Sequence, residues 1–184
     1  MKITQSKTRE KFPLSYKKIM KKTIASTIAI ILLFLFIWGF LVYIVNTLGQ
    51  EAVNWWFGTI TFGIFGLLFF VILSIYFYQR WYFAVYFYDL TNDYIQIKKG
   101  PITPREITIP YERIQDVYVD QDIFDRIFGL YDVHLSSATV SSGMEAHIDG
   151  VEKQAADGLR AILLETIQQR ISKNRVPNTS VNNQ

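Results

Sequence analysis

The sequence predicts a two-helix membrane hairpin followed by a small soluble α+β domain. Three observations carry this fold class: two long runs without a charged residue, a change to alternating apolar and polar positions after Trp81, and one amphipathic stretch near the C-terminus. At 184 residues the chain has room for a membrane segment and one domain of about a hundred residues.

Residues 1–22 carry eight Lys/Arg against Glu10 and read as a basic cytoplasmic segment. Thr23 to Val45 then gives twenty-three residues without a charge. At about 1.5 Å per residue, a helix of that length covers the roughly 30 Å hydrocarbon core. Residues 46–54, NTLGQEAVN, contain no Lys or Arg and read as an extracytoplasmic loop. Trp55 to Tyr78 is a second uncharged run, opened by paired Trp and closed by Tyr, which places the second span at 55–79. The positive-inside bias puts both termini in the cytoplasm, so the chain is expected to be a multi-pass protein of the cell membrane. Lys17, Lys18, Lys21 and Lys22 are expected nearest the bilayer, each gaining about 1 kcal/mol from anionic lipid. Neither span holds an Asp, Glu, Lys, Arg or His, so no ion path or proton relay is expected from this chain alone. Thr59, Gly63 and Gly66 form a small-residue face suited to close helix packing, either on the first span through Ser26, Ala29 or Gly39 or between chains.

Residues 80–173 read as the cytoplasmic domain. Ala84 to Leu90 is strand-like; TND turns into a strand from Tyr94 to Lys98, and Lys99 with Gly100 forms the next turn. REITIP, ending at Pro110, places Ile107 and Ile109 on one face, and Val117 with Val119 faces inward in the strand that follows. DIFDRIFG breaks the alternation: Ile123 and Ile127, Phe124 and Phe128 are spaced by four, with Asp122 near the start and Gly129 placed to end the turn in a left-handed conformation. YDVHLSS and MEAHID alternate again around the hairpin connection SATVSSG. Glu152 to Ser172 closes the domain as a helix, with Ala156, Leu159, Leu163, Ile167 and Ile171 on its buried face. Residues 174–184 read as a disordered tail. On this division, a fragment from Tyr82 to Arg175 is expected to fold alone.

YDLTNDYIQIKKG at Tyr88 to Gly100, IPYERI at Ile109 to Ile114, FGL at Phe128 to Leu130 and HIDGV at His147 to Val151 resemble the bacterial pleckstrin-homology-like (PH-like) membrane proteins of the YdbS-like family. The likeness runs from the spans to about Ser172. It implies a PH-like bent β-sheet or barrel of six or seven strands, capped by the C-terminal helix. It also implies an association, in some bacteria, with resistance to membrane-active peptides.

Composition narrows the chemistry. Residues 80–184 carry eleven Lys/Arg against fourteen Asp/Glu, so no phosphate-tracking surface and no nucleic-acid partner is expected. The chain has no cysteine. Lys98, Lys99 and Arg105 flank the second turn and are the candidates for contact with anionic headgroups. Asp120, Asp122 and Asp125 cluster, but lack the glycine and later Glu of a calcium loop, and Asp122 suits a helix start. His134 and His147 fall on the polar faces of strands that can be neighbours, two imidazoles short of a third zinc ligand. Ser136, Ser137, Ser141 and Ser142 have no base or oxyanion hole argued for them. The expectation is a non-enzymatic module without metal or cofactor. It docks other membrane proteins, a related PH-like protein or a second copy among them, or the lipid of the inner leaflet, within a complex serving envelope or peptide resistance. The alternative is a structural anchor or immunity factor that acts through its spans.

Overall fold

The computed structural model describes residues 6–48, 54–137 and 146–175. The chain forms two compact units: residues 19–83, and a second unit combining residues 1–18 with residues 84–184.

Residues 19–83 hold most of two 32-residue helices, α2 (Lys17–Leu48) and α3 (Asn54–Val85), which follow a short N-terminal helix, α1 (Lys7–Lys11). Both long helices are long and apolar enough to cross a membrane. Leu32, Phe36, Phe62 and Phe70 are exposed, an apolar surface suited to lipid rather than water. The helices meet through Phe34 and Phe65, whose rings lie edge to face at 4.9 Å, and through Trp38 at 6.0 Å from Phe65. A Cβ at Gly39, Gly63 or Gly66 would meet nothing within 4 Å. The helices overrun the bounds read from hydropathy: α2 begins six residues before Thr23, and α3 continues through Tyr78 to Val85. Lys17 to Lys22 and Gln79 to Val85 contain no Gly or Pro, so nothing in either stretch stops a helix that is already formed. The strand expected from Ala84 consequently begins at Phe87.

The second unit contains six strands among the described residues, in two antiparallel three-stranded sheets. The first sheet is β1 (Phe87–Leu90), β2 (Tyr94–Lys99) and β3 (Arg105–Pro110), in that order. A single 3₁₀ turn, Tyr111–Arg113, leads to the second sheet: β4 (Ile114–Asp120), β5 (Leu130–Ser137) and β6 (Ala146–Glu152). Helix α4 (Ile123–Phe128) joins β4 to β5, and α5 (Lys153–Arg175) closes the fold. Tyr86, Tyr88, Ile95, Ile97, Val133, Leu135 and Ile148 form the centre of the core, over which Ala156, Leu159 and Leu163 of α5 are buried. The connection 138–145, with Ser141, Ser142 and Met144, lies outside the described residues, as does most of the tail. Helix α5 extends into that tail as far as Arg175.

Two irregularities shift the alternation. A bulge between Ile114 and Asp116 puts Ile114 and Val117 inward and leaves Val119 half-buried; another between Tyr131 and Val133 puts Leu130 and Val133 on the buried side. The apolar periodicity of two helices also overstates burial: Ile171 is exposed, and Ile123 and Ile127 of α4 are 79% and 70% exposed.

Helix α4 is fixed at both ends. The Asp122 carboxylate accepts the Asp125 N–H at 2.6 Å, and the Asp125 carboxylate accepts the Asp122 N–H at 3.3 Å, a reciprocal capping box. Gly129 ends the helix at φ 66° with no side-chain obstruction nearby, so a substitution there meets backbone strain alone. Gly129→Val is expected to destabilise the domain by about 1–3 kcal/mol. A urea midpoint unchanged from wild type would contradict this. Gly100 occupies the β2–β3 turn at φ 97°.

The largest departure from the sequence reading lies at the N-terminus. Residues 6–18 are not a free basic tail; they complete the domain. The Ser6 hydroxyl caps α1, donates to the Tyr88 carbonyl at 2.6 Å and lies 2.8 Å from Asp89 Oδ1. The Leu90 N–H reaches the Thr8 hydroxyl at 3.1 Å, so α1 lies along the outer edge of β1. Leu14 is buried and bridges Val151, while the Ser15 N–H donates to the Gly150 carbonyl at 2.9 Å along the outer edge of β6. The Phe12 ring occupies the space that a side chain at Gly158 would take. Counted over residues 1–18 and 84–184, the domain carries sixteen Lys/Arg against fifteen Asp/Glu, near balance rather than acidic.

Two core tyrosines tie these layers together. The Tyr88 hydroxyl donates to the Phe12 carbonyl and the Tyr111 hydroxyl to the Thr91 carbonyl at 2.8 Å. Burial raises the Tyr88 pKa, against a smaller opposing effect of Arg9. Burial, reinforced by Asp89, pushes Tyr111 up to about 12. An unfolded tyrosine ionises near pH 10. Both groups therefore contribute stability that is complete below about pH 10 and is lost as pH rises through their folded pKa values. Phenolate absorbance at 295 nm is expected to show two tyrosines that stay neutral until the alkaline unfolding transition. Ionisation of all eleven tyrosines below that transition would contradict this.

Candidate functional site

A chain of polar side chains crosses the second sheet and ends at Lys18, the second residue of α2, whose side chain is only 4% exposed. Its ammonium lies 3.2 Å from Asp149 Oδ2, donates to the Asp149 carbonyl at 2.9 Å and sits 4.0 Å above the Tyr86 ring. β6 admits the lysine stem because Gly150 has no side chain: a Cβ there would lie 2.7 to 2.9 Å from Lys18 carbons, and its φ of 71° also suits glycine. Lysine is thus a clamp here, in place of the anionic-lipid contact expected of it; Lys17 remains exposed and lies 3.7 Å from Glu152.

From Asp149 the chain continues outward. His147 Nε2 is 2.7 Å from Asp149 Oδ1 and 3.4 Å from Lys99 Nζ on β2. His147 and His134 are register partners with stacked rings 5.4 Å apart, and Tyr118 stacks on His134 at 4.9 Å, so three rings line up across β6, β5 and β4. His134 Nε2 is 3.1 Å from Asp120 Oδ1. The Tyr86 hydroxyl donates to the His147 carbonyl at 2.9 Å, and the Asp132 carboxylate accepts the Gly150 N–H at 2.6 Å.

The residues singled out from sequence are thereby distributed among different tasks. Lys99 and Arg105 are cross-strand partners at the β2–β3 turn, but Lys99 is engaged with His147, and Lys98 pairs with Glu106 at 3.1 Å. Asp120, Asp122 and Asp125 do not converge: the first serves His134 and the other two cap α4. Among the described residues no group of three His, Cys, Asp or Glu is placed to hold a metal ion. Ser136 and Ser137 end β5. Asp149 and Lys18 were missed because each sits in a pattern that normally means exposure, a polar position of an alternating strand and a lysine run. Two nearby signals pointed to them: Gly150, a glycine within a strand pattern, and Leu14, an apolar residue inside a charged segment.

A second feature lies beside α5. An open groove of about 500 Å³ runs between α1, the β1–β2 turn and the C-terminal half of α5, with Lys7, Phe12, Leu90, Tyr111, Ile162 and Gln169 among its walls. Arg170 closes one end, 2.6 Å from Asp93 and bonded to the Asn92 carbonyl.

A family model described as the bacterial PH domain matches residues 13–167. The match begins inside the N-terminal segment and continues through both long helices into α5. No curated protein and no solved structure matches the chain.

Proposed function

Because the chain belongs to the bacterial PH domain family and carries two helices long and apolar enough to cross a membrane, we propose that it is a membrane-anchored, non-catalytic PH-like module that docks another membrane protein at the inner leaflet. The observation that carries this reading is the composition of the domain from both flanks of the helix pair, residues 1–18 and 84–184. A domain assembled from both flanks supports a reading in which two crossings leave both on one side of the bilayer, and the basic residues before the first apolar run favour the cytoplasm for that side. In sequence the domain adjoins the apolar runs directly: α2 begins at Lys17, and α3 ends at Val85, one residue before the fully buried Tyr86. A module held this way meets membrane-bound partners at high effective concentration, so a modest interface suffices.

Two of the four sheet edges, those of β1 and β6, are occupied by the chain's own N-terminal segment. The outer edge of β3 and the groove beside α5 are the surfaces that suit a partner strand or helix. Lipid contact through Lys98, Lys99 and Arg105 has less to draw on, since Glu106 and His147 already engage the two lysines. A photo-crosslinking residue at Thr108 on β3 or at Gln169 by the groove, in full-length protein in native membranes, tests the reading. Docking predicts a discrete membrane-protein adduct from at least one position; adducts to lipid alone from both would refute it.

A further inference from the structure

We propose that the β2–β3 turn, Gly100–Pro104, carries Ile102 into the inner leaflet, at the boundary of headgroups and acyl chains, as an apolar foot of the domain. This inference rests on the reading that α2 and α3 cross the bilayer, and it adds a lipid contact to protein docking. Ile102 is 68% exposed, and residues 100–104 carry no charge. One exposed isoleucine is ordinary on a surface that faces water. Its place in the fold sets this one apart. Phe87, two residues after the end of α3, pairs with Lys98, and β2 ends one residue later at Lys99. The turn therefore projects from the edge of the sheet at which the chain arrives from its second apolar run. The first apolar run leaves from the same region: the ammonium of Lys18, the second residue of α2, sits 4.0 Å above the ring of Tyr86, the residue before β1. Asn92, in the β1–β2 turn, lies at the other edge of that sheet, a six-residue strand or about 20 Å away.

The lengths agree with this placement. Gln79 to Val85 carries α3 about 10 Å beyond Tyr78, at about 1.5 Å per residue, and the headgroup region is about 5–8 Å deep on each side of the hydrocarbon core. Ile102 stands three residues from both Lys99 and Arg105, which are register partners, a reach of up to about 10 Å. The chemistry of the turn suits the boundary too. Pro101 and Pro104 have no N–H, so two of its five residues bring no backbone donor to a place where water is scarce. Gly100 has φ 97°, and a Cβ there would lie 2.5 Å from the Thr103 carbonyl oxygen, so the turn closes tightly on itself. With two prolines in it, little conformational freedom remains to be lost when Ile102 enters lipid. Arg105, at the base of the turn, is exposed and has no ion-pair partner among the described residues, which suits it to anionic headgroups.

The test uses full-length protein in nanodiscs of mixed anionic and zwitterionic phospholipid, with a nitroxide on one introduced cysteine at a time, which a chain without cysteine allows. Collision of the nitroxide with oxygen, which concentrates among acyl chains, is compared with collision with a nickel chelate, which stays in water. The oxygen-to-nickel ratio for Ile102→Cys is expected to be several-fold higher than for Asn92→Cys and to approach that of Phe36→Cys, an exposed position within the first apolar run. A ratio at Ile102→Cys equal to that at Asn92→Cys, with a lipid signature at Phe36→Cys, would overturn this proposal and leave the membrane reading standing. A water signature at Phe36→Cys as well would overturn both. Low collision with both reagents at Ile102→Cys, the mark of cover by protein, would also overturn it.

Discussion

A fragment from Tyr82 to Arg175 is expected to show no cooperative unfolding transition, and joining residues 6–18 to its N-terminus through a Gly/Ser linker of about ten residues is expected to restore one. This reverses the expectation that the downstream segment folds alone. Without residues 6–18 the fragment loses the apolar cover of Phe12 and Leu14, the capping contacts of Ser6 and Thr8 on β1, and the strand-like partner of β6. It also leaves Asp149, buried on β6, without the Lys18 ammonium. Removing one partner of a buried ion pair costs about 3–5 kcal/mol, and truncating a buried Leu about 2–5 kcal/mol. Whole domains of this size have only about 5–15 kcal/mol of stability. The combined loss is of the same order as the total. A fragment whose urea midpoint equals that of the joined version would show that the N-terminal segment is an accessory.

The second large effect is expected at the clamp itself. Asp149→Leu takes the carboxylate away from the Lys18 ammonium, which stays buried beside Tyr86, a change expected to cost about 3–5 kcal/mol. Lys18→Met leaves the carboxylate in the corresponding position and is expected to be comparably destabilising. The combination of Lys18→Met with Asp149→Leu removes both charges, and it is expected to recover most of the loss, because a buried ion pair is worth little more than apolar groups of similar volume. Denaturation midpoints of the four proteins form a double-mutant cycle with a coupling far above the few tenths of a kcal/mol of independent sites. Additive losses would mean that Lys18 and Asp149 do not act as a pair.

Much of the architecture was legible because its signals are local. The uncharged runs identify the long helices, alternation identifies five of the strands closely, and Asp122 and Gly129 bracket α4 by cap chemistry alone. Helices α2 and α3 run beyond the uncharged stretches at Thr23 and Tyr78 because hydropathy marks where lipid can begin, not where a helix ends. Val119 and Ile171 were misplaced because one bulge, or one turn of helix beyond the sheet, changes burial without changing the pattern. The polar cluster was least legible. His134 and His147 are thirteen residues apart, and their stacking depends on the β5–β6 register. Lys18 and Asp149 are separated by 131 residues and meet only because the chain returns from the long helices to the strand edge it left.

That one domain is built from both flanks of the helix pair is tested most directly by an engineered disulfide. Leu14 and Val151 are antiparallel bridge partners, a relation that sets Cα atoms about 4.5–5.5 Å apart, inside the range a disulfide spans. The natural chain has no cysteine to compete. In native membranes, full-length protein carrying Leu14→Cys and Val151→Cys is expected to form an intramolecular disulfide under mild oxidation, while Leu14→Cys paired with Lys173→Cys stays reduced. Failure of the first pair to close, or equal closure of both pairs, would contradict the account.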